Sequence, residues 1–273
     1  MTEQALATLE YEIELLPRNV EANLRHIWTI PLPAQDRAIA LMKSPKLHTW
    51  LTSTHSSALF VNGNGDASAR QSPLSFICSK LMDTVCPLAV GMRPKYCSIL
   101  AQSFFCGQHV DIEDPAKGPV GMMRNLVSQI LINYSAFSMP TIRRLLDIDP
   151  FDIRALCNIF SGLIKQLPRR YMVLFIIDGI TFYEDSPTEC EDATEAVQTL
   201  LEVMESCKRR GCMFKVLLTC PGNSRTLYRE FDEDEEVIWL PTKVDPQGGL
   251  TPTKWEASAE PHVKEWLGDS SID

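Results

Sequence analysis

The sequence predicts an α/β protein with three layers, in which a parallel β-sheet lies between two layers of helices. The first observation is that short apolar runs alternate with helical periodicities over residues 58–240, which is typical of βαβ units and a parallel sheet. The second is the continuous apolar run 172–177, which ends at Asp178. A run of this kind favours a central strand that is buried on both faces.

The predicted strands are short apolar runs that end in polar or turn-forming residues. The first is followed by the Gly/Asn-rich segment 62–66, which indicates a strand that ends in a turn. The predicted strands lie at residues 58–61, 96–106, 172–178, 214–220 and 237–240.

The predicted helices combine an apolar face with signals for their first turn. Ser72 is placed to cap a helix, and Pro73 suits the first helical position. The apolar residues of 152–167 recur at helical spacing without a miss, and Thr188 with Glu191 predicts a capping box for a further helix. The predicted helices cover residues 72–85, 118–134, 152–167 and 188–210, with a short one at 223–231.

Three segments differ in their pattern and define the predicted organisation. Residues 1–45 form a helical lead-in, in which Pro17 is expected to break the first helix. Residues 46–240 hold the alternating strands and helices. Residues 241–273 are predicted to form an irregular tail, because Pro and Gly are frequent and apolar periodicity is weak there.

The composition argues against several partners and locations. Acidic residues outnumber Lys plus Arg by 35 to 26, which gives a net charge of −9, so we do not expect nucleic acid as a partner. The longest apolar run is far below the ~20 residues that span a bilayer, and the N-terminus lacks the pattern of a secretory signal. With nine cysteines, an odd number, we expect reduced thiols in a cytoplasmic protein without a membrane partner.

Parallel sheets bind ligands beyond the C-terminal ends of their strands. The segment 63–72 follows the first strand and reads GNGDASARQS; a strand, a Gly-rich loop and a helix are the layout of a phosphate-binding loop. No register supplies the Lys and the Ser or Thr of that motif, so both a structural turn and a weak nucleotide site stay open. The candidate nucleotide-binding residues of this loop are Gly63, Asn64, Gly65, Ser68, Arg70 and Ser72.

Polar side chains also stand at two later strand ends. Asp178 closes an apolar run in the manner of an acid that holds Mg²⁺ in nucleotide-binding strands, so it is the candidate metal ligand if a nucleotide binds. It is equally well interpreted as a helix cap or an anchor for the next loop, and the next acids come only at Glu184 and Asp185. Thr219 is placed to sense a terminal phosphate, whereas Arg225 is expected to lie on the surface.

These segments, in this order and with this spacing, resemble the NACHT-type branch of the signal-transduction (STAND) P-loop NTPases. They are most similar to the nephrocystin-like modules of large multidomain fungal proteins. The resemblance covers about residues 46–240. It is carried by KLHTWL at 46–51, SFFCGQH at 103–109, GPVGMMRNLVSQIL at 118–131, FIIDGITFYE at 175–184 and VLLTCPGNSR at 216–225.

The resemblance implies a P-loop NTPase-like fold and a switch in which ATP or GTP, with Mg²⁺, drives oligomerisation until hydrolysis resets it. Three positions of the family pattern differ here. The Gly-Lys-Ser/Thr end of the first motif is missing, and Thr181 and Phe182 replace the two acids of the second motif. In the sensor motif, Cys220 replaces an Arg next to Thr219.

We therefore expect a divergent, catalytically impaired NTPase-like domain that serves as a signalling or interaction module. Nucleotide binding would be weak or absent, and the partners would be other proteins or further copies of the chain. An active ATP/GTP-binding switch and a scaffold that binds no nucleotide stay open as alternatives. Family members usually carry domains on both sides of the NTPase, so we expect this chain to be a remnant, a truncated product or an excerpt of such a protein.

Cys106 and His109 form a second candidate site, since they follow a predicted strand at close spacing. A nucleophilic pair would need an orienting partner, and a zinc site would need further ligands at close spacing. The sequence shows neither, so we expect a buried thiol and a loop histidine.

Overall fold

A five-stranded sheet, in which every strand runs parallel to its neighbours, lies at the centre of the chain. This computed structural model describes residues 2–91, 98–169 and 171–267, without the side chains of 87–91 and 267. The spatial order of the strands is β2-β3-β4-β1-β5. The strands are β1 (Ser57–Asn62), β2 (Ser98–Phe105), β3 (Tyr171–Asp178), β4 (Met213–Cys220) and β5 (Val237–Trp239).

Each strand falls where the sequence predicts one, which confirms the α/β prediction with a parallel sheet. Residues 96 and 97, the start of the second predicted strand, lie outside the described residues. Short 3₁₀ turns at residues 27–29, 106–108, 180–185 and 227–230 connect some of the elements. The helices are α1 (Thr2–Thr8), α2 (Leu15–His26), α3 (Leu32–Met42), α4 (Pro45–Thr52), α5 (Pro73–Gly91), α6 (Gly118–Asn133), α7 (Met139–Asp147), α8 (Ile153–Ile164), α9 (Pro187–Arg210), α10 (Pro252–Ser258) and α11 (Glu260–Leu267).

The sheet separates two apolar cores, because successive side chains of a strand point to opposite faces. Phe60 and Phe175 lie in the core that α6, α8 and α9 cover. Val61 and Ile176 lie in the opposite core, which α3, α4, α5, α10 and α11 cover. Helices on both faces confirm the predicted three-layer arrangement.

The cap at Ser72 is confirmed. Its Oγ accepts the N–H groups of Leu74 at 3.1 Å and Ser75 at 3.3 Å, and Pro73 is the first residue of α5. This cap fixes the place where the chain leaves the loop after β1 and enters the helix under the sheet.

The predicted capping box at Thr188 and Glu191 is wrong. The N-cap of α9 is Ser186, whose Oγ accepts the N–H of Glu189. Pro187 then takes the first helical position, where its fixed φ angle and missing N–H are tolerated. The helix therefore starts before Thr188.

The lead-in is helical as predicted, since α1, α2 and α3 lie within residues 1–45. Pro17 does not break a helix, because it lies in the first turn of α2, where its N–H would have no partner within the helix. Within the described residues, no helix combines the length and the apolar character that a bilayer span requires.

The prediction of an irregular tail over 241–273 is wrong for α10 and α11, which have seven and eight residues. Their stability comes from packing, since Trp255 is buried and its Nε1 donates to Thr84 Oγ1 at 3.3 Å. Trp266 is buried as well. Residues 268–273 lie outside the described residues.

Candidate functional site

The three strand ends that the sequence singles out lie side by side. Strand β4 runs between β1 and β3, so Asn62 pairs with Cys220 and Asp178 pairs with Thr219. Because the strands are parallel, their C-terminal ends form one edge of the sheet. The loop after β1, the acid of β3 and the hydroxyl of β4 therefore meet at this edge.

Asp178 is the centre of this edge and is almost completely buried. Its Oδ1 accepts the hydroxyl of Thr219, and its Oδ2 accepts the hydroxyl of Ser75, both at 2.6 Å. Burial raises the pKa of the Asp178 carboxyl to about 6, although the hydrogen bonds from Ser75 and Thr219 act in the opposite direction. The acid thus accepts hydrogen bonds from two neutral hydroxyls.

Sequence reasoning missed Ser75, which lies in the first turn of α5. Its Oγ donates to Asp178 and also accepts the N–H of Ser72 at 2.9 Å. Ser72 and Ser75 therefore satisfy each other's N–H groups, as the two residues of a capping box do. The Ser-x-x-Ser spacing in front of an apolar helix is the sequence signal that could have identified this residue.

Three N–H groups of the loop after β1 are engaged by the loop after β4. In a phosphate-binding loop, N–H groups of this kind point at the ligand. Here they donate to backbone carbonyl groups of the segment 220–222, which closes the two loops onto each other. The bonds run from Gly63 to Cys220 at 3.0 Å, from Asn64 to Gly222 at 3.0 Å and from Gly65 to Pro221 at 2.9 Å.

The close contact between the loops after β1 and β4 explains why the first loop contains glycines. A Cβ atom at Gly63 would lie 2.6 Å from the carbonyl oxygens of Cys220 and Pro221, a distance that no side chain could occupy. Asn64, between Gly63 and Gly65, has a φ angle of 53°, in the left-handed region that Asn tolerates. The Gly-rich sequence thus serves the close approach of two backbones.

The side chains of the predicted phosphate-binding residues have partners within the protein. The Ser68 hydroxyl donates to Asp66 Oδ1 at 2.7 Å. The Arg70 guanidinium forms a bidentate pair with Asp111, at 2.9 and 3.1 Å, in which both side chains are exposed. Ser72 caps α5 and bonds to Ser75, which in turn donates to Asp178. The hydrogen bonds of Ser68 and Arg70 do not lead toward Asp178.

The acids after β3 anchor a neighbouring turn. The side chain of Glu184 is 1% exposed, and its Oε1 accepts the N–H groups of Thr226 at 3.0 Å and Leu227 at 2.9 Å. Arg225 is exposed and pairs with Asp185 at 2.6 Å, which confirms the expected surface position. Glu184 is a structural cap rather than a group that could orient water.

Cys106 and His109 do not form a reactive pair. His109 Nε2 accepts from the Asn19 amide at 2.7 Å, while Nδ1 lies 2.9 Å from Asp114 Oδ2. Burial raises the pKa of the Cys106 thiol, which lies against Tyr183. No group of three or more His, Cys, Asp or Glu side chains that could hold a metal ion occurs in the described part of the chain.

The residues at the sheet edge do not fit a Mg²⁺-bound nucleoside triphosphate. The residue before Ser75 is Leu74, which is buried, whereas the phosphate-binding motif carries a Lys before its Ser or Thr. Three loop N–H groups are engaged by carbonyl groups, so the cradle for phosphates is closed.

Comparisons with family models, with curated proteins and with solved structures found no match to this chain.

Proposed function

We propose that this chain is a divergent NACHT-like module of the P-loop NTPase type that has lost phosphoryl transfer. It works as a signalling or interaction module, through contacts with other proteins or with copies of itself. The observation that carries this proposal is the cluster of Ser75, Asp178 and Thr219, at the edge where β3 and β4 end and α5 begins. A strand acid next to a hydroxyl in the first turn of the loop helix is consistent with a P-loop-like layout.

The loss of phosphoryl transfer follows from electrostatics. This reaction depends on positive charge and oriented donors at the phosphates, and the removal of one such group typically lowers the rate about 10²–10³-fold. Leu74 supplies no charge before Ser75. Thr181 and Phe182 supply no carboxylate after Asp178, so at least two groups of the reaction are missing.

A scaffold that binds no nucleotide is the second candidate, and one observation favours it over an active switch. The N–H groups of Gly63, Asn64 and Gly65 already bond to carbonyl groups. Nucleotide binding would have to break these bonds and separate the two loops, which lowers the affinity by the free energy of that rearrangement. The proposed module therefore binds nucleotides weakly or not at all.

Release of phosphate from ATP and GTP with Mg²⁺ tests the proposal on the intact chain. We expect turnover below ~1 per minute, far slower than typical enzymes, with no difference between the native chain and Asp178→Asn. Asp185→Asn is the matched control, because Asp185 is an exposed acid of the same segment. Turnover above ~1 per minute that Asp178→Asn abolishes and Asp185→Asn retains would overturn the proposal.

A further inference from the structure

A cavity of about 340 Å³ lies between the helical lead-in and the loop after β1. We call it the loop cavity. Its volume is at the lower end of the range of small-molecule sites, about 300–1,000 Å³. Its lining includes Ile30, Pro31 and Ala34 from the lead-in, and Gly65 and Leu74 from the loop after β1 and the start of α5. The walls are largely apolar, which suits an apolar ligand body.

One wall of the loop cavity is fixed before any ligand arrives. The buried side chain of Gln35 donates from Nε2 to the carbonyl groups of Ile27 at 3.0 Å and Ile30 at 2.7 Å. Its Oε1 accepts the N–H of Leu250 at 2.8 Å. The 3₁₀ turn at 27–29 and the start of α3 are thereby tied together, and a preformed wall reduces the entropy lost on binding.

Arg37 brings a positive charge to the loop cavity. Its guanidinium lies over the loop at Gly65, where an added Cβ would be 2.8 Å from Nη2. Among the ion pairs of described residues, Arg37 has no partner: Asp66, the acid that also lines the cavity, instead accepts the N–H and hydroxyl of Ser68 at 2.9 and 2.7 Å. An unpaired guanidinium beside apolar walls favours a ligand with one anionic group.

We infer that the loop cavity binds a small amphipathic anion, with a carboxylate or sulfonate on Arg37 and an apolar body against Ile30, Pro31 and Leu74. A nucleotide fits less well, because its phosphates need N–H groups that the carbonyls of 220–222 already hold. The inference goes beyond the proposed function and does not depend on it. Binding there would link the lead-in to the loop after β1.

A fluorescence titration with anilinonaphthalenesulfonate, an aromatic sulfonate, tests the inference on the full chain. We expect saturable binding to one site. Arg37→Gln removes a charge-assisted hydrogen bond and should weaken binding about 10–100-fold. Ala34→Trp should abolish binding by filling the cavity, whereas Arg25→Gln is the matched control and should bind normally, because Arg25 is exposed and already pairs with Glu21.

Competition and folding controls complete the experiment. Octanoate should displace the probe, and Mg²⁺-ATP should not. Circular dichroism and the thermal midpoint establish that each variant is folded, and Arg37→Lys, which keeps the charge, should retain more affinity than Arg37→Gln. The inference is overturned if the probe does not saturate, if folded Arg37→Gln and Ala34→Trp bind as the native chain does, or if Mg²⁺-ATP competes and octanoate does not.

Discussion

The hydroxyl of Ser75 donates to Asp178 Oδ2 across 2.6 Å, and the two residues are 103 positions apart in the chain. The same Oγ accepts the N–H of Ser72. The Ser75 hydroxyl thus completes the cap of α5 and provides a hydrogen bond to one of the two oxygens of the buried Asp178 carboxyl group. Both side-chain donors to Asp178 at this sheet edge, Ser75 and Thr219, are neutral hydroxyls.

Ser75→Ala should lower the free energy of unfolding by about 1–3 kcal/mol, because it leaves a buried oxygen of Asp178 and the N–H of the cap residue Ser72 without their partner. Urea denaturation followed by circular dichroism measures this difference. Ser68→Ala is the matched control, since Ser68 is an exposed loop serine, and its effect should stay within about 0.5 kcal/mol. Equal effects of the two substitutions would refute the structural role of Ser75.

The pH dependence of stability should report Asp178. Burial raises the pKa of its carboxyl to about 6, above that of the unfolded chain at about 3.9. The folded state therefore binds the proton of Asp178 more tightly than the unfolded state does. The contribution of this proton to the free energy of unfolding is fully present below pH 4 and is lost as the pH rises through 6.

Urea denaturation from pH 4 to pH 7 tests this prediction against Asp178→Asn. The native chain should lose stability relative to the variant as the pH rises, by about 2–3 kcal/mol. A constant difference between the two proteins over this range would contradict a raised pKa at Asp178.

Lys215 is a fully buried lysine in β4. Its Nζ donates to the carbonyl groups of Trp50 and Leu51 at the end of α4 and lies 4.8 Å from the ring centroid of Trp266. Burial lowers the pKa of its ammonium group to about 7, whereas the carbonyl groups and the ring favour the charged form.

Stability should therefore rise with pH between about 7 and 10 because of Lys215. In this window the unfolded chain holds the proton, with a pKa of about 10.4, and the folded chain releases it. Urea denaturation at pH 7 and pH 9.5 should show that the native chain gains stability relative to Lys215→Met. Lys208→Met replaces an exposed lysine and keeps Lys215, so its stability should rise with pH as that of the native chain does. The prediction fails if the stability of Lys215→Met rises with pH by the same amount as that of the native chain.

The C-terminal helices should be part of the folding unit. Trp255→Ala removes a buried ring and should cost about 3–5 kcal/mol, as measured by urea denaturation. Trp28 is 70% exposed, so Trp28→Ala is the matched control and should change stability by less than about 0.5 kcal/mol. A small effect at Trp255 would indicate that α10 and α11 are not docked in solution.

The strands and the long helices could be predicted from the sequence because their signals are local. The apolar run of β3 and the cap at Ser72 are both contained in a few neighbouring residues. The helices α10 and α11 could not be predicted, because seven or eight residues are too short for a clear periodicity. Their stability comes from contacts with distant residues, such as Trp255 with Thr84.

The sequence predicted which strand ends would matter but not what their groups would do. Asp178 and Thr219 could be named, since each closes an apolar run. Their bond, and that of Ser75, depends on the position of β4 beside β3, and one sequence carries no signal for that order. The closure of the loop by the segment 220–222 is equally non-local. The alignment of motifs therefore could not show that the loop N–H groups are already engaged.

Isothermal titration of the intact chain with Mg²⁺-ATP, and then with Mg²⁺-GTP, tests the central claim most directly. The engaged N–H groups of the loop and the absence of a Lys before Ser75 predict no saturable binding at nucleotide concentrations up to about 1 mM. One-to-one binding in the micromolar range would contradict this prediction if it depends on Mg²⁺, is lost in Asp178→Asn and is retained in Asp185→Asn.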